Sequence, residues 1–171
     1  TGTFFTLLNP YGLVGGLASL SLFTLYGAIF INLKTNEALR EKSKSWAKGL
    51  WIPAFILVIL FVLISGTATD MYTSRLALIV AVLAAISIIA AFFLIKANRS
   101  GWAFVATALT IVFMTVMIFA GLFPRVMVAV ETANNLTIYN ASASPYTLKV
   151  MSIVAAILVP IVLVYQGWTY W

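Results

Sequence analysis

The side chains that most often hold metals or act as nucleophiles do not occur in this sequence. Its 171 residues include no histidine and no cysteine. Histidine is the commonest ligand of haem and copper, and cysteine supplies iron–sulfur sites, disulfides and thiol nucleophiles. A Ser-His-Asp hydrolase is excluded too, because its mechanism needs an imidazole base. We therefore expect no catalytic, cofactor-binding or metal-binding residue in this chain.

The four acidic residues all lie outside the long apolar stretches of the sequence. Glu37 and Glu41 belong to one basic connection, whereas Asp70 and Glu131 belong to two other connections. Ionisable side chains inside a membrane span mark proton relays and ion pathways. Their confinement to the connections argues against a pump or a proton-coupled transporter.

Two methionines raise the question of a haem ligand. Met114 and Met117 are three residues apart and would share one face of a helix. Methionine can ligate haem iron, usually opposite a histidine. Since no histidine is available, we expect both side chains to pack in a protein core.

A glycine pair near the start of the chain favours close contact between helices. Gly12 and Gly16 have small-xxx-small spacing, and Gly15 extends the pattern. Small residues at this spacing let two membrane helices approach closely. Gly12 and Gly16 are therefore candidates for a subunit interface.

The most polar window is LTIYNASASPYTLKV, residues 136–150. Small hydroxyls and an amide beside aromatic rings are typical of a surface that packs against another protein. A loop that only caps the following helix, through Ser144 and Pro145, is the alternative. The interface candidates in this window are Asn140, Ser142, Ser144 and Tyr146.

The composition identifies lipid as the natural solvent of the chain. Hydrophobic residues make up 63% of it, charged residues only 8%, and the mean hydropathy is +1.10. Each of five apolar windows has about the 20 residues that a helix needs to cross a bilayer. We predict an all-α polytopic membrane bundle, four helices plus a terminal helix, in a single transmembrane domain over 1–171. The predicted spans are 11–33, 50–69, 76–95, 101–123 and 147–171.

Prolines mark the ends of several predicted spans. Asn9 and Pro10 predict a capped helix start, and Pro53 is expected in the first turn of the second span. Pro160 lies well inside the fifth span, where it deprives the Ala156 carbonyl of its usual donor. We therefore expect a helix kink at Pro160.

Basic residues predict the orientation. Seven of the ten lysines and arginines lie in the connections after the first and third spans. By the positive-inside rule, these connections and the C-terminus are cytoplasmic, and the loop 124–146 is external. The segment 34–50 is predicted either as a short basic helix on the inner leaflet or as an irregular connector.

Several blocks resemble one family of respiratory enzymes. LTIYNASASPYTLKVM, followed by VPIVLVYQGWTYW, resembles the C-terminal end of subunit II of cytochrome bd-type quinol oxidases. LNPYGLVGGL and LFPRVM are similar to the same family in the same order. The resemblance covers essentially the whole chain. Because family members are longer, it implies the C-terminal half of a larger subunit.

The resemblance implies a function that composition alone does not. These oxidases oxidise menaquinol or ubiquinol and reduce dioxygen to water in the prokaryotic cytoplasmic membrane. Subunit I carries two b haems, one d haem and the quinol site. This chain would then be a haem-free, non-catalytic, structural subunit that forms a heterodimer with subunit I. A bound structural quinone or lipid and a small single-span third subunit are compatible with the resemblance, and no nucleic acid is expected.

Two other functional classes remain open from the residues. One is half of a membrane solute transporter or a channel-like protein, against which the lack of intramembrane charge counts. The other is a general assembly factor, which would be absent from the finished complex.

Overall fold

The structure of the chain is a computed structural model that describes residues 9–128 and 135–170. In this part of the chain, five helices are long and apolar enough to cross a membrane. The prediction of an all-α polytopic membrane protein is confirmed. The chain divides into two compact units, one ending at Leu122 and the other beginning at Phe123.

Helix α1 spans Pro10–Lys34 and begins as the sequence predicts. The side chain of Asn9 accepts a hydrogen bond from the Tyr11 N–H at 3.1 Å. Pro10 occupies the first helical position, where a missing N–H has no cost. The cap and the proline together fix where this helix starts.

Helix α2, Glu37–Ala68, is longer than the span predicted at 50–69. The basic segment after α1 is not an irregular connector, because it forms the first turns of this same helix. The placement of Pro53 in a first turn is therefore wrong, and Pro53 lies inside α2. Between Glu37 and Pro53 the segment contains good helix formers and no proline, so the helix begins well before the apolar stretch. Its 32 residues span about 48 Å, more than the roughly 30 Å of a bilayer core.

Two further helices complete the first unit. A 3₁₀ turn, Asp70–Thr73, leads into α3, Arg75–Lys96, and α4 covers Ser100–Leu122. Helix α1 packs along α2 and α3 packs along α4, while α1–α4 and α2–α3 contacts join the two pairs. Short connections between packed neighbours are the features of an antiparallel four-helix bundle.

Small side chains line the interior of this bundle. The buried face of α3 consists mainly of alanines, and that of α4 combines alanines with Thr107, Thr110 and the two methionines. The Thr107 hydroxyl donates to the Ala103 carbonyl at 2.8 Å, and the Thr110 hydroxyl to Ala106 at 3.0 Å. Small residues with internally satisfied hydroxyls let the helix backbones approach closely in lipid.

An indole hydrogen bond joins the middle of the bundle. Nε1 of Trp51 on α2 donates to the Ile88 carbonyl of α3 at 2.9 Å. The Trp51 ring lies 4.3 Å from the Phe92 ring, centroid to centroid. The bond fixes the relative height of α2 and α3, which pack less extensively than the α1–α2 pair.

The second unit consists of a small hairpin and one long helix. Strand β1, Arg125–Met127, pairs antiparallel with β2, Leu136–Thr137. Helix α5 covers Pro145–Tyr170 and includes Pro160 without ending there. The kink at Pro160 stays a prediction. Glu131 lies outside the described residues.

Candidate subunit interface

Helix α1 has two faces with different glycines. A Cβ built on Gly15 would lie 2.9 Å from the ring of Phe61 on α2, so Gly15 belongs to the contact inside the bundle. A Cβ on Gly12 or Gly16 would meet nothing within 4 Å. The three glycines that the sequence groups together therefore have different surroundings: Gly15 contacts α2, whereas Gly12 and Gly16 face away from the bundle.

We call the outward side of α1 the glycine face, comprising Gly12, Gly16, Leu20 and Phe23. Leu20 is 64% exposed and Phe23 58% exposed. The residues recur every three or four positions, which places them along one side of the helix. Bare backbone at Gly12 and Gly16, followed by large apolar side chains, forms a surface on which another apolar helix can pack closely.

Asn140 supports its own loop. Its Oδ1 accepts from the Thr137 N–H at 2.6 Å and from the Thr137 hydroxyl at 3.1 Å. Its Nδ2 donates to the Asn135 carbonyl at 3.1 Å. With both ends of the amide engaged, Asn140 shapes the turn after β2, and its role at an interface would be indirect.

Ser144 caps the last helix, as the Ser144–Pro145 pair predicts. Its hydroxyl oxygen accepts from the Thr147 N–H at 3.3 Å and lies 2.9 Å from the Thr147 hydroxyl. Ser142 is exposed, and Tyr139 and Tyr146 are each 78% exposed. Tyr139 and Ser142 in the loop, and Tyr146 in the first turn of α5, are thus exposed for contact with a partner.

The candidates fall into two groups in the fold. Gly12 and Gly16 belong to the first unit, and Asn140, Ser142, Ser144 and Tyr146 belong to the second.

Within the second unit, the hairpin positions the loop, because the Ile138 N–H donates to the Pro124 carbonyl at 3.0 Å. This bond holds the turn after β2 next to Pro124, the residue that precedes β1.

Sequence reasoning missed a polar contact at the start of α1. The hydroxyl oxygens of Tyr11 and Ser65 lie 3.1 Å apart, and the Tyr11 oxygen is 3.9 Å from Sδ of Met71. The Tyr11 ring also stacks on Phe61 at 5.3 Å. The contact joins α1 to α2 and to the 3₁₀ turn, which are up to 60 positions apart. No local pattern in the sequence signals such a long-range pairing.

Tyr72 and two glycines complete this region, which we call the tyrosine cluster: Tyr11, Ser65, Gly66, Met71, Tyr72 and Gly121. The Tyr72 hydroxyl donates to the Val62 carbonyl at 2.6 Å. Burial raises the pKa of Tyr72, and the nearby Tyr11 adds to the effect. A Cβ on Gly66 would lie 2.7 Å from the Tyr72 ring, and one on Gly121 would lie 2.5 Å from Cγ of Met71. Glycine is therefore needed at both positions for close approach.

The two methionines belong to the core, as predicted. Met114 and Met117 are buried in one apolar cluster with Val58, Phe61 and Ile88. Sδ of Met117 lies 3.9 Å from the Tyr72 hydroxyl. Within residues 9–128 and 135–170, no group of three or more histidine, cysteine or acidic side chains could hold a metal ion. Both methionines therefore belong to the core of the first unit, and the sequence contains no imidazole to accompany them.

The comparisons with known proteins point to one family. The family model described as cytochrome bd terminal oxidase subunit II matches residues 1–171. The chain is 36% identical to cytochrome bd ubiquinol oxidase subunit 2 of Bacillus subtilis over 167 residues, which is 96% of this chain and 49% of that protein.

Relatives with lower identity carry similar names. The chain is 28% identical to cytochrome bd-I ubiquinol oxidase subunit 2 of Escherichia coli, over 100% of this chain and 54% of that protein. It is also 28% identical to a probable cytochrome oxidase subunit 2 of Haemophilus influenzae, over 99% and 53% respectively. The chain thus spans about half the length of the curated relatives that it matches. With five helices in the described residues that are long and apolar enough to span a membrane, and a match along its whole length, this chain belongs to the cytochrome bd terminal oxidase subunit II family.

Proposed function

We propose that this chain supports the assembly of a quinol:dioxygen oxidoreductase without taking part in its chemistry. Its partner would be subunit I, which would carry two b haems, one d haem and the quinol site. Membership of the subunit II family is the observation that carries the proposal. The absence of histidine from the sequence supports a haem-free role, since the chain has no imidazole to offer the iron.

The glycine face of α1 is the proposed contact with subunit I. It is apolar, it has bare backbone at Gly12 and Gly16, and nothing in the described residues covers these two positions. In lipid, an apolar face gains little from burial alone, so close packing at small residues is what distinguishes a partner helix from lipid tails. Ser142, just before α5, and Tyr146, in the first turn of α5, are proposed as a second contact with subunit I.

The orientation is also part of the proposal. Helix α1 ends at Lys34, the first turns of α2 carry Arg40 and Lys44, and Lys96 and Arg99 lie at the α3–α4 turn. The positive-inside rule assigns this end of the bundle to the cytoplasm of a prokaryotic cell. The C-terminus would then be cytoplasmic and the loop 124–146 external. The two units would form one transmembrane domain, the C-terminal half of a longer subunit.

Further partners are compatible with the proposal. A structural quinone or lipid could lie between these helices, and a small single-span subunit could join the heterodimer.

The alternative function, half of a solute transporter, is disfavoured by the family match. It is disfavoured as well because the hydroxyls of the buried side chains Ser65, Thr107 and Thr110 donate to carbonyls of their own helices.

Purification of the native complex tests this function. The subunit that contains this sequence would be tagged, extracted from its own membranes with mild detergent, and examined by a reduced-minus-oxidised visible spectrum. We expect a far-red band from a d-type haem and a second large subunit on a denaturing gel. A haem-free preparation of this subunit alone would contradict the assignment and return the transporter to consideration.

A further inference from the structure

A polar cavity lies at the end of the first unit where most basic residues gather. It occupies about 350 Å³ between the last turn of α1, the first turns of α2 and the turn that joins α3 to α4. We call it the basic-end cavity. The side chains that line it are Asn32, Arg40, Glu41, Lys44, Asn98 and Ser100.

A buried amide in this cavity has an unused acceptor. Asn32 is 6% exposed, and its Oδ1 has no hydrogen-bond partner. Buried polar atoms in native proteins are nearly always paired, since leaving one unpaired carries the full loss of its hydration. A donor from outside the chain, a bound water or a ligand group, would pair the Asn32 oxygen.

A second, much smaller pocket shares Asn32, Lys44, Asn98 and Ser100 with this cavity. Ile29, Ala47 and Ile95 also line it. These three residues belong to the core cluster at this end of the bundle. A ligand in the cavity would thus place polar groups among charged side chains and lie directly above the apolar core.

The charges around the cavity are mixed, with an excess of positive charge. Arg40 and Lys44 contribute two cations, and Glu41 contributes one carboxylate. Nζ of Lys44 lies 4.0 Å from Oε1 of Glu41, a separation that still leaves room for a second partner for each. Ser100 is the first residue of α4, so the N–H groups at this helix start add positive potential.

This arrangement matches one kind of headgroup. A phosphodiester would bind to Arg40 and Lys44 through charge-assisted hydrogen bonds. An ammonium with free N–H groups would donate to the Asn32 oxygen and to the Glu41 carboxylate. Since the cavity lies where α1 and α3 end, it is at the depth of lipid headgroups and not of acyl chains.

We propose that the basic-end cavity binds the phosphoethanolamine headgroup of a membrane phospholipid. The bound lipid would pair the Asn32 oxygen and hold the basic turns of α2 against the α3–α4 turn. This role is independent of the oxidase assignment, because it depends only on the first unit.

Lipid titration of the purified, delipidated complex tests the proposal. Native mass spectrometry would count lipids retained on the complex as phosphatidylethanolamine or phosphatidylcholine is added. Choline has no N–H to donate to Asn32, so we expect phosphatidylethanolamine to bind about tenfold more tightly. Equal affinity for the two lipids would overturn the proposal. Displacement of the lipid by millimolar inorganic phosphate would show instead a site for a soluble anion.

Matched variants separate the cavity from general surface charge. Arg40→Gln with Lys44→Gln should weaken phosphatidylethanolamine binding about tenfold or more, because two charged partners of the phosphate are lost. Lys42→Gln with Lys48→Gln removes the same charge from exposed positions of the same helix and should leave binding unchanged. An equal loss in both double variants would overturn the proposal.

Asn32→Leu provides a test that leaves every charge in place. The substitution removes the unpaired acceptor, so we expect the preference for phosphatidylethanolamine over phosphatidylcholine to disappear. Should the Arg40 and Lys44 double variant fail to assemble, this single variant decides the question. A preference that persists in Asn32→Leu would contradict the assigned role of the amide.

Discussion

The hydroxyl of Tyr11, in the first turn of α1, lies 3.1 Å from the hydroxyl of Ser65, in the last turn of α2. Ser65 donates its own proton to the Phe61 carbonyl at 2.7 Å, an arrangement that leaves the Ser65 oxygen free to accept from Tyr11. Because α1 and α2 run antiparallel, this bond fixes their register at one end of the bundle. Gly15 of α1 and Phe61 of α2 pack beside it.

Loss of this hydrogen bond should weaken the first unit. We expect Tyr11→Phe to lower the free energy of unfolding by about 0.5–1.5 kcal/mol, the usual net value of such a bond in water or in a membrane. The aromatic stacking on Phe61 would survive. Thermal unfolding of the purified complex measures the change, with Tyr165→Phe as a control at an exposed ring. Equal stability of Tyr11→Phe and the native protein would show that the bond contributes nothing.

Gly121 should tolerate no side chain. In Gly121→Ala, the new methyl group would lie 2.5 Å from Cγ and 3.1 Å from Cα of Met71. Overpacking of this kind costs about 1–3 kcal/mol, which outweighs the gain of up to about 1 kcal/mol in helix propensity. We expect a lower melting temperature for Gly121→Ala.

Gly101→Ala is the matched control on the same helix, because its Cβ would meet nothing within 4 Å. This variant should be as stable as the native protein or slightly more so. If both substitutions had the same effect, the close contact between Gly121 and Met71 would be refuted.

The phenol of Tyr72 should make stability sensitive to alkaline pH. Its pKa is raised in the folded state by burial, so the unfolded chain releases this proton first, near pH 10. The contribution of Tyr72 to the free energy of unfolding is therefore fully present below pH 10. It is lost as the pH rises through the higher folded-state pKa of this phenol. The difference in melting temperature between the native protein and Tyr72→Phe should shrink above pH 10. A difference that stays constant to higher pH would contradict the raised pKa.

Asn140 and Ser142 should respond differently to substitution. Asn140→Ala removes bonds to Thr137 and Asn135, and we expect faster cleavage of the loop by a protease in the purified complex. Ser142→Ala should leave the cleavage rate unchanged and reduce only the recovery of the partner subunit. Equal cleavage of the two variants would show that the Asn140 bonds do not hold the loop.

The sequence predicts the spans well because lipid imposes strong rules. A helix of about 20 apolar residues crosses a bilayer core with its backbone groups paired internally, and caps such as Asn9 and Ser144 are local signals. The start of α2 is harder to predict, since hydropathy finds the apolar part of a helix and misses its polar extension. Hydropathy therefore places Pro53 at a helix start, whereas Pro53 lies inside α2.

The candidate site shows the same limit. Spacing identifies Gly12, Gly15 and Gly16 as a group. Which of them contacts another helix depends on where α2 packs against α1, and the spacing does not reveal this. The pairing of Tyr11 with Ser65 and the unpaired oxygen of Asn32 depend on contacts between distant segments. Such contacts follow from the packing of the whole bundle, which local patterns do not encode.

The most direct measurement is the haem content per subunit in complexes whose glycine face is altered. Gly12→Leu with Gly16→Leu adds bulk where the chain itself has open space, so the fold should persist while the partner is displaced. Gly49→Leu, at another open glycine, is the control. We predict that haem and subunit I are lost together from the double variant and retained in Gly49→Leu. Full retention of subunit I by the double variant, or haem that stays with this subunit after subunit I has gone, would contradict the account.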